Sequence, residues 1–127
     1  MTIDLWMLAA AVGLTWLLIV GSATPGIVKD LKWAAGNRDT PLEMAPWVNR
    51  AHRTAQNMKE NLPLFAILVL IAHVSGSANE TSALGAEIFL GARLVHAGIY
   101  IAGVPYVRTL VWTVSVAGMM IIASTFF

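Results

Sequence analysis

The chain has 127 residues, of which 57% are hydrophobic and 12% charged, a formal net charge of +1 and no cysteine. A soluble domain carries roughly 25% charged residues, so this composition, with a mean hydropathy of +0.71, belongs with integral membrane proteins. It excludes a disulfide framework, a thiolate metal site and a cysteine nucleophile, and with no cationic tail nothing points to a nucleic-acid partner.

A membrane-spanning helix takes about 20 residues. Four spans therefore consume most of the chain, which reads as one domain over residues 1–127 of all-α class: a four-helix transmembrane bundle. The first span is expected over residues 3–28, with the apolar core LWMLAAAVGLTWLLIV followed by GSATPGIV. The leading MTIDLWMLAA lacks the basic region of a signal peptide, so this segment reads as a retained span. Trp6 and Trp16 are anchoring or packing residues. Gly21, Ser22 and Ala23 are small enough to admit a neighbouring helix closely. Residues 29–46 form a charged loop with a GNRDTP turn. Lys29 and Lys32 belong either to a solvated face of that loop or to a position over a neighbouring pocket, where they meet an anion.

The second span is expected over residues 46–74 and opens with RAHRTAQNMKENLPLF. At 100° per residue, Arg53, Asn57 and Glu60 fall within about 60° of one another. The stripe turns apolar below them, at Leu64 and Ile71. Charged groups inside a spanning helix normally face the bundle interior and mark a functional site; the alternative is a salt-bridged helix end above the bilayer. His52 and Lys59 lie on a different face and are left out of the pocket. Pro63 removes one helical hydrogen bond just below the stripe, which predicts a bend.

After a short connection without Lys or Arg, SGSANETS, the third span is expected over residues 83–104. It places Arg93, His96 and Tyr100 on one face, again within about 60°. These make either a site wall or a polar seam between helices; Glu87 lies off the stripe. Gly103, Val104 and Pro105 form a turn, and the fourth span is expected over residues 106–126. Its only charged group, Arg108, stands in the first helical turn, where it opposes the helix macrodipole. A bound anion compensates that arrangement; the alternative is an arginine snorkelling to the interface. The distribution of Lys and Arg puts the first and third loops in the cytoplasm and both termini on the opposite side. Arg53, Asn57, Glu60, Arg93, His96, Tyr100 and Arg108 are then expected to converge at one membrane face.

Three blocks resemble a known family. RAHRTAQNMKENLPLF resembles the signature of the MAPEG family (membrane-associated proteins in eicosanoid and glutathione metabolism) through Arg53, Asn57, Glu60, Pro63 and Phe65. GARLVHAGIY is similar to that family's third helix, particularly in its prostaglandin E synthase branch, through Arg93, His96 and Tyr100. PYVRTL places Arg108 on the family's helix-four arginine. The resemblance implies a bacterial-type member, similar to the microsomal glutathione transferases, that assembles as a homotrimer in membrane lipid and binds glutathione between adjacent subunits. Carried over by position, Arg53 binds a glutathione carboxylate, Asn57 the peptide and Glu60 the amino group. His96 and Tyr100 line the pocket. Arg93 and Lys32 are counted with the glutathione-binding residues. Arg108 is the catalytic cation that activates the thiol, whose ordinary pKa is about 8.5. Asn61, His96 and Ala55 depart from the leukotriene-synthesising branch and leave the lipophilic second substrate open. The implied activity is that of a glutathione-dependent transferase or peroxidase without a metal, acting on a lipophilic electrophile or hydroperoxide. The alternative is a non-enzymatic bundle that binds a lipid, an anionic metabolite or a partner membrane protein.

Overall fold

The computed structural model describes residues 1–127 and contains five helices and no strands. They are α1 (Ile3–Lys29), α2 (Leu31–Ala35), α3 (Pro46–Val74), α4 (Glu80–Ala102) and α5 (Val107–Ser124). Four of these, all except α2, are long and apolar enough to cross a membrane, as expected for an integral multi-pass membrane protein. Only 26 of the 127 residues are buried, and Trp16, Leu17, Leu94, Leu110 and Met120 are among many large apolar side chains on the outside. That pattern is costly in water and natural in lipid, where a helix is apolar all round. Hydroxyls in the spans are satisfied within their own helices: Thr15 donates to the Ala11 carbonyl (2.8 Å) and Ser115 to that of Trp112 (2.6 Å).

The interior is a thin seam in which Phe65 of α3 stacks on Phe89 of α4, ring centroids 4.0 Å apart, with Met58, Val69, Ala72 and Ala86 around them. α4 and α5 approach most closely at Gly85 and Gly118. A β-carbon on Gly85 would lie 2.6 Å from the Gly118 carbonyl oxygen, and one on Gly118 would lie 2.7 Å from that of Gly85. The absence of a β-carbon is therefore a steric requirement on both helices. In the GSA run of α1, expected to provide such an approach, Gly21 does not: a β-carbon there would meet nothing within 4 Å, although Ser22 beside it is buried. Small residues permit close packing, but a facing backbone must also be there to use it.

The start of α4 and the first loop differ from expectation. α4 starts at Glu80 because Asn79 caps it: its side-chain oxygen accepts from the Thr81 and Ser82 amides, while Ser82 Oγ accepts from the Asn79 amide. This capping box draws three polar residues of the connection into the helix. The first loop contains the short α2, capped by Asp30, whose carboxylate accepts from the Trp33 amide. Trp33 Nε1 donates to the Thr40 carbonyl (2.6 Å), and the Lys29 ammonium donates to that of Glu43, folding the loop back on itself. At the same end of the molecule, Gly103 closes α4 in the left-handed conformation (φ +83°), which suits glycine. Arg50 lies against that turn and donates from Nε to the Ile101 carbonyl (2.9 Å), joining the start of α3 to the end of α4.

Candidate functional site

Four of the residues marked out in the sequence line one cavity where α3, α4 and α5 meet. Its volume is about 270 Å³, and its walls are Asn57, His96, Tyr100, Arg108, Thr109 and Trp112. Arg93, His96 and Tyr100 project from one face of α4, as a 3.6-residue repeat requires. Arg108 enters from the first turn of α5, directly after the turn that Gly103 and Arg50 shape. The start of α5 has no side-chain cap, and its N-cap residue, Tyr106, has a positive φ (+66°). The Val107 and Thr109 amides donate to the Pro105 and Tyr106 carbonyls, so the positive charge at this mouth comes from the Arg108 guanidinium together with the helix dipole.

The deepest member is Arg93, only 1% exposed. Its Nη2 donates to Asn57 Oδ1 at 2.5 Å, while Nε and Nη1 have no hydrogen-bond partner within the chain. A buried guanidinium with two idle edges is expensive, and such residues in spanning helices mark functional positions. Asn57 is held from below as well, because its backbone carbonyl accepts from the Asn61 side-chain amide (2.8 Å). His96 is buried and leaves Nδ1 without a partner. Its ring meets Tyr100 edge-on, with centroids 5.5 Å apart. The Arg108 guanidinium carbon lies 4.6 Å from the Tyr100 ring centroid, a cation–π contact that restrains an otherwise exposed arginine. One guanidinium, a phenol and an imidazole thus border a small space lined by no carboxylate, with the Arg93 guanidinium behind Asn57. Chemically it suits an anion with hydrogen-bond acceptors.

The remaining sequence candidates lie elsewhere in the single chain. Arg53 lines a separate cavity of about 460 Å³ between α1 and α3, together with Arg38, His52, Gln56 and Lys59. Glu60 is exposed and accepts from Gln56 Nε2 at 3.3 Å. Lys32 is exposed on α2 and borders neither cavity. Helical geometry explains the split. Taking Asn57 as origin, Arg53 and Glu60 sit about 40° and 60° round the helix, towards the His52 and Lys59 side. They occupy an edge between two faces, and the long Arg53 side chain takes the α1 side. Thr109 and Trp112 were missed in the sequence. Their signal was positional, since Trp112 follows Arg108 by one helical turn and shares its face. No cluster of three or more His, Asp or Glu is arranged to hold a metal ion.

No curated protein and no solved structure matches the chain. The model of the MAPEG family, however, matches residues 5–126, and over nearly its whole length this four-helix membrane chain belongs to that family.

Proposed function

We propose that this protein is a glutathione-dependent membrane transferase or peroxidase in which Arg108 stabilises the glutathione thiolate. The observation that carries the reading is the convergence of Asn57, His96, Tyr100 and Arg108 on one cavity, backed by a buried Arg93 with two unused guanidinium edges. Family membership supports a glutathione- or eicosanoid-metabolising context in general. The donor set fits the co-substrate: a tripeptide with two carboxylates and a thiol needs cations and N–H or O–H donors, and this wall supplies them.

Glutathione brings the thiol. The roles of the chain's own residues follow from their placement. Arg108 and the uncapped start of α5 favour the anionic sulfur over the thiol by preorganised positive charge. Tyr100 holds the Arg108 guanidinium and offers a hydroxyl to the same space. Arg93 fixes the Asn57 amide, leaving the Asn57 nitrogen to meet the peptide. With an electrophile, a carbon–sulfur bond forms as the leaving group departs. With a hydroperoxide, the sulfur takes the distal oxygen, the O–O bond breaks and the alkoxide leaves as the alcohol after gaining a proton. A second glutathione then yields the disulfide and water.

A cavity of about 270 Å³ is at or below the lower end of the range for complete small-molecule sites, so it accommodates part of a tripeptide. On this reading a homotrimer completes the site, with a neighbouring copy closing its open side and the ligand extending past Asn57 towards Glu60 and Arg53. Lys32 would lie at the outer rim. The lipophilic second substrate arrives from the membrane lipid. The mouth of the cavity faces the cytoplasm, with both termini opposite, following the positive-inside distribution of Lys and Arg. Calorimetric titration of the detergent-purified protein with glutathione tests the reading. Saturable binding that is lost or weakened at least tenfold in Asn57→Ala supports it; an intact wild-type protein that does not bind glutathione overturns it.

A further inference from the structure

The end of the bundle away from Arg108 holds another polar group without a partner. Asp4 is only 2% exposed, yet its Oδ2 accepts no hydrogen bond from the chain. Asp4 borders a cavity of about 190 Å³ where the start of α1 meets the start of α4. Glu80 borders the same cavity, and no Lys, Arg or His does. Met1 is exposed and donates nothing to Asp4 Oδ2. An unpaired carboxylate so deeply buried is costly, and a second acid beside it adds repulsion. Helix ends account for part of the arrangement, because Asp4 stands in the first turn of α1 and Glu80 in the first turn of α4. Each such end carries about +0.5 elementary charge. The two ends therefore offset roughly one of the two negative charges, and the other is left for a ligand.

The remaining acceptors identify the ligand class. A calcium ion takes about 6–8 oxygen ligands and a magnesium ion a full octahedron. Here Asn79 Oδ1 already accepts from the Thr81 and Ser82 amides, and Thr2 Oγ1 from the Leu5 amide. Little beyond the Asp4 and Glu80 carboxylates is left to hold a guest. That set is poor for a metal ion and suits a single positive charge bearing several N–H donors, which is a primary ammonium. The level of the cavity agrees. The 27 residues of α1 rise about 40 Å at 1.5 Å per residue, more than the roughly 30 Å of the hydrocarbon layer. Its first turn therefore reaches the headgroup layer, and the apolar Ile3 and Ala83 give the carbon chain of an amine a surface to lie on.

We propose that this cavity binds a primary ammonium, carried by the headgroup of an aminophospholipid or by a free amine. The site lies at the other end of the bundle from the glutathione reading and does not depend on it. Native mass spectrometry of the purified protein in micelles with equal phosphatidylethanolamine and phosphatidylcholine counts retained lipid, and calorimetry in the same micelles reads binding of ethanolamine. The two headgroups share a phosphate and one positive charge, but only the first has N–H donors. The wild-type protein is expected to retain phosphatidylethanolamine in preference to phosphatidylcholine. Asp4→Asn keeps the shape and removes the charge, and should weaken that retention at least tenfold through the lost charge-assisted contact. Glu80→Gln, at the exposed side of the cavity, should weaken it less. A lipid preference that resists added ethanolamine assigns the site to the headgroup. Ethanolamine binding that displaces the lipid, at an ionic strength where sodium chloride has no effect, assigns it to a free amine. Equal retention of the two lipids without ethanolamine binding overturns the proposal, as does unchanged retention in an Asp4→Asn protein that keeps its helical circular dichroism. Loss of the preference on adding magnesium at the same ionic strength overturns it in favour of a metal ion. The lipid comparison in the wild-type protein is decisive even if Asp4→Asn fails to fold.

Discussion

The two ends of the α4–α5 pair are built on opposite principles. At one end, Gly85 and Gly118 bring the backbones so close that neither position has room for a β-carbon. At the other, the same two helices border a polar cavity with His96 and Tyr100 on one side and Arg108 on the other, and Arg93 is buried behind Asn57. The dry end needs no side-chain chemistry and gains from dispersion and close approach. The polar end carries a buried guanidinium with two unused edges, an arrangement whose cost the rest of the fold must offset. The contrast suggests a division of labour. The glycine contact fixes the register and angle of α5 against α4, and Arg108, about three turns along α5 from Gly118, inherits its position from it.

Perturbing the polar end is expected to have the largest effect. Arg108→Ala should lower glutathione turnover on a chromogenic aryl halide about 100-fold, near 2.7 kcal/mol of transition-state stabilisation. Glutathione affinity should change far less, and Arg108→Lys should recover part of the rate. Perturbing the dry end comes next. Gly118→Ala should destabilise the bundle by about 1–3 kcal/mol through overpacking, read from unfolding in mixed micelles, and turnover should fall with it if α5 sets the place of Arg108. An unchanged rate in a destabilised Gly118→Ala protein would separate the two ends. Arg93→Met sharpens the same point, because it removes a buried charge while keeping the volume. Glutathione affinity should drop roughly tenfold, whereas stability should hold or rise, as when buried charges are replaced by apolar groups. The smallest effect belongs to the outer surface: Trp16→Leu, on a side chain 68% exposed, should shift stability by no more than about 0.5 kcal/mol.

The same contrast explains what was legible in the sequence. Four apolar runs of spanning length announce the helices whatever their neighbours, and the Arg93, His96 and Tyr100 spacing marks a face by periodicity alone. Arg108 stood out as the only charge in its span. The Gly85–Gly118 contact was not legible, because a glycine in an apolar helix reveals its purpose only once the facing backbone is known, and the GSA run of α1 was the more conspicuous candidate. Nor was α2, a single turn held by the Asp30 cap and the Trp33 anchor rather than by hydrophobic repetition. Arg53 lay beyond sequence reading for a third reason. It occupies the edge between two helix faces, where a long side chain is free to join either side, and it shares a cavity with His52 and Lys59, which angular reasoning had placed on a different face from Arg53.

The central claim is that Arg108 holds a glutathione thiolate at the α4–α5 cavity, and the ultraviolet absorption band of the thiolate tests it most directly. Glutathione added to the purified wild-type protein near neutral pH should produce the band in proportion to calorimetric saturation, and Arg108→Ala should bind glutathione without producing it. A band of equal strength in the variant, or saturable binding to the wild-type protein with no band at all, would contradict the account.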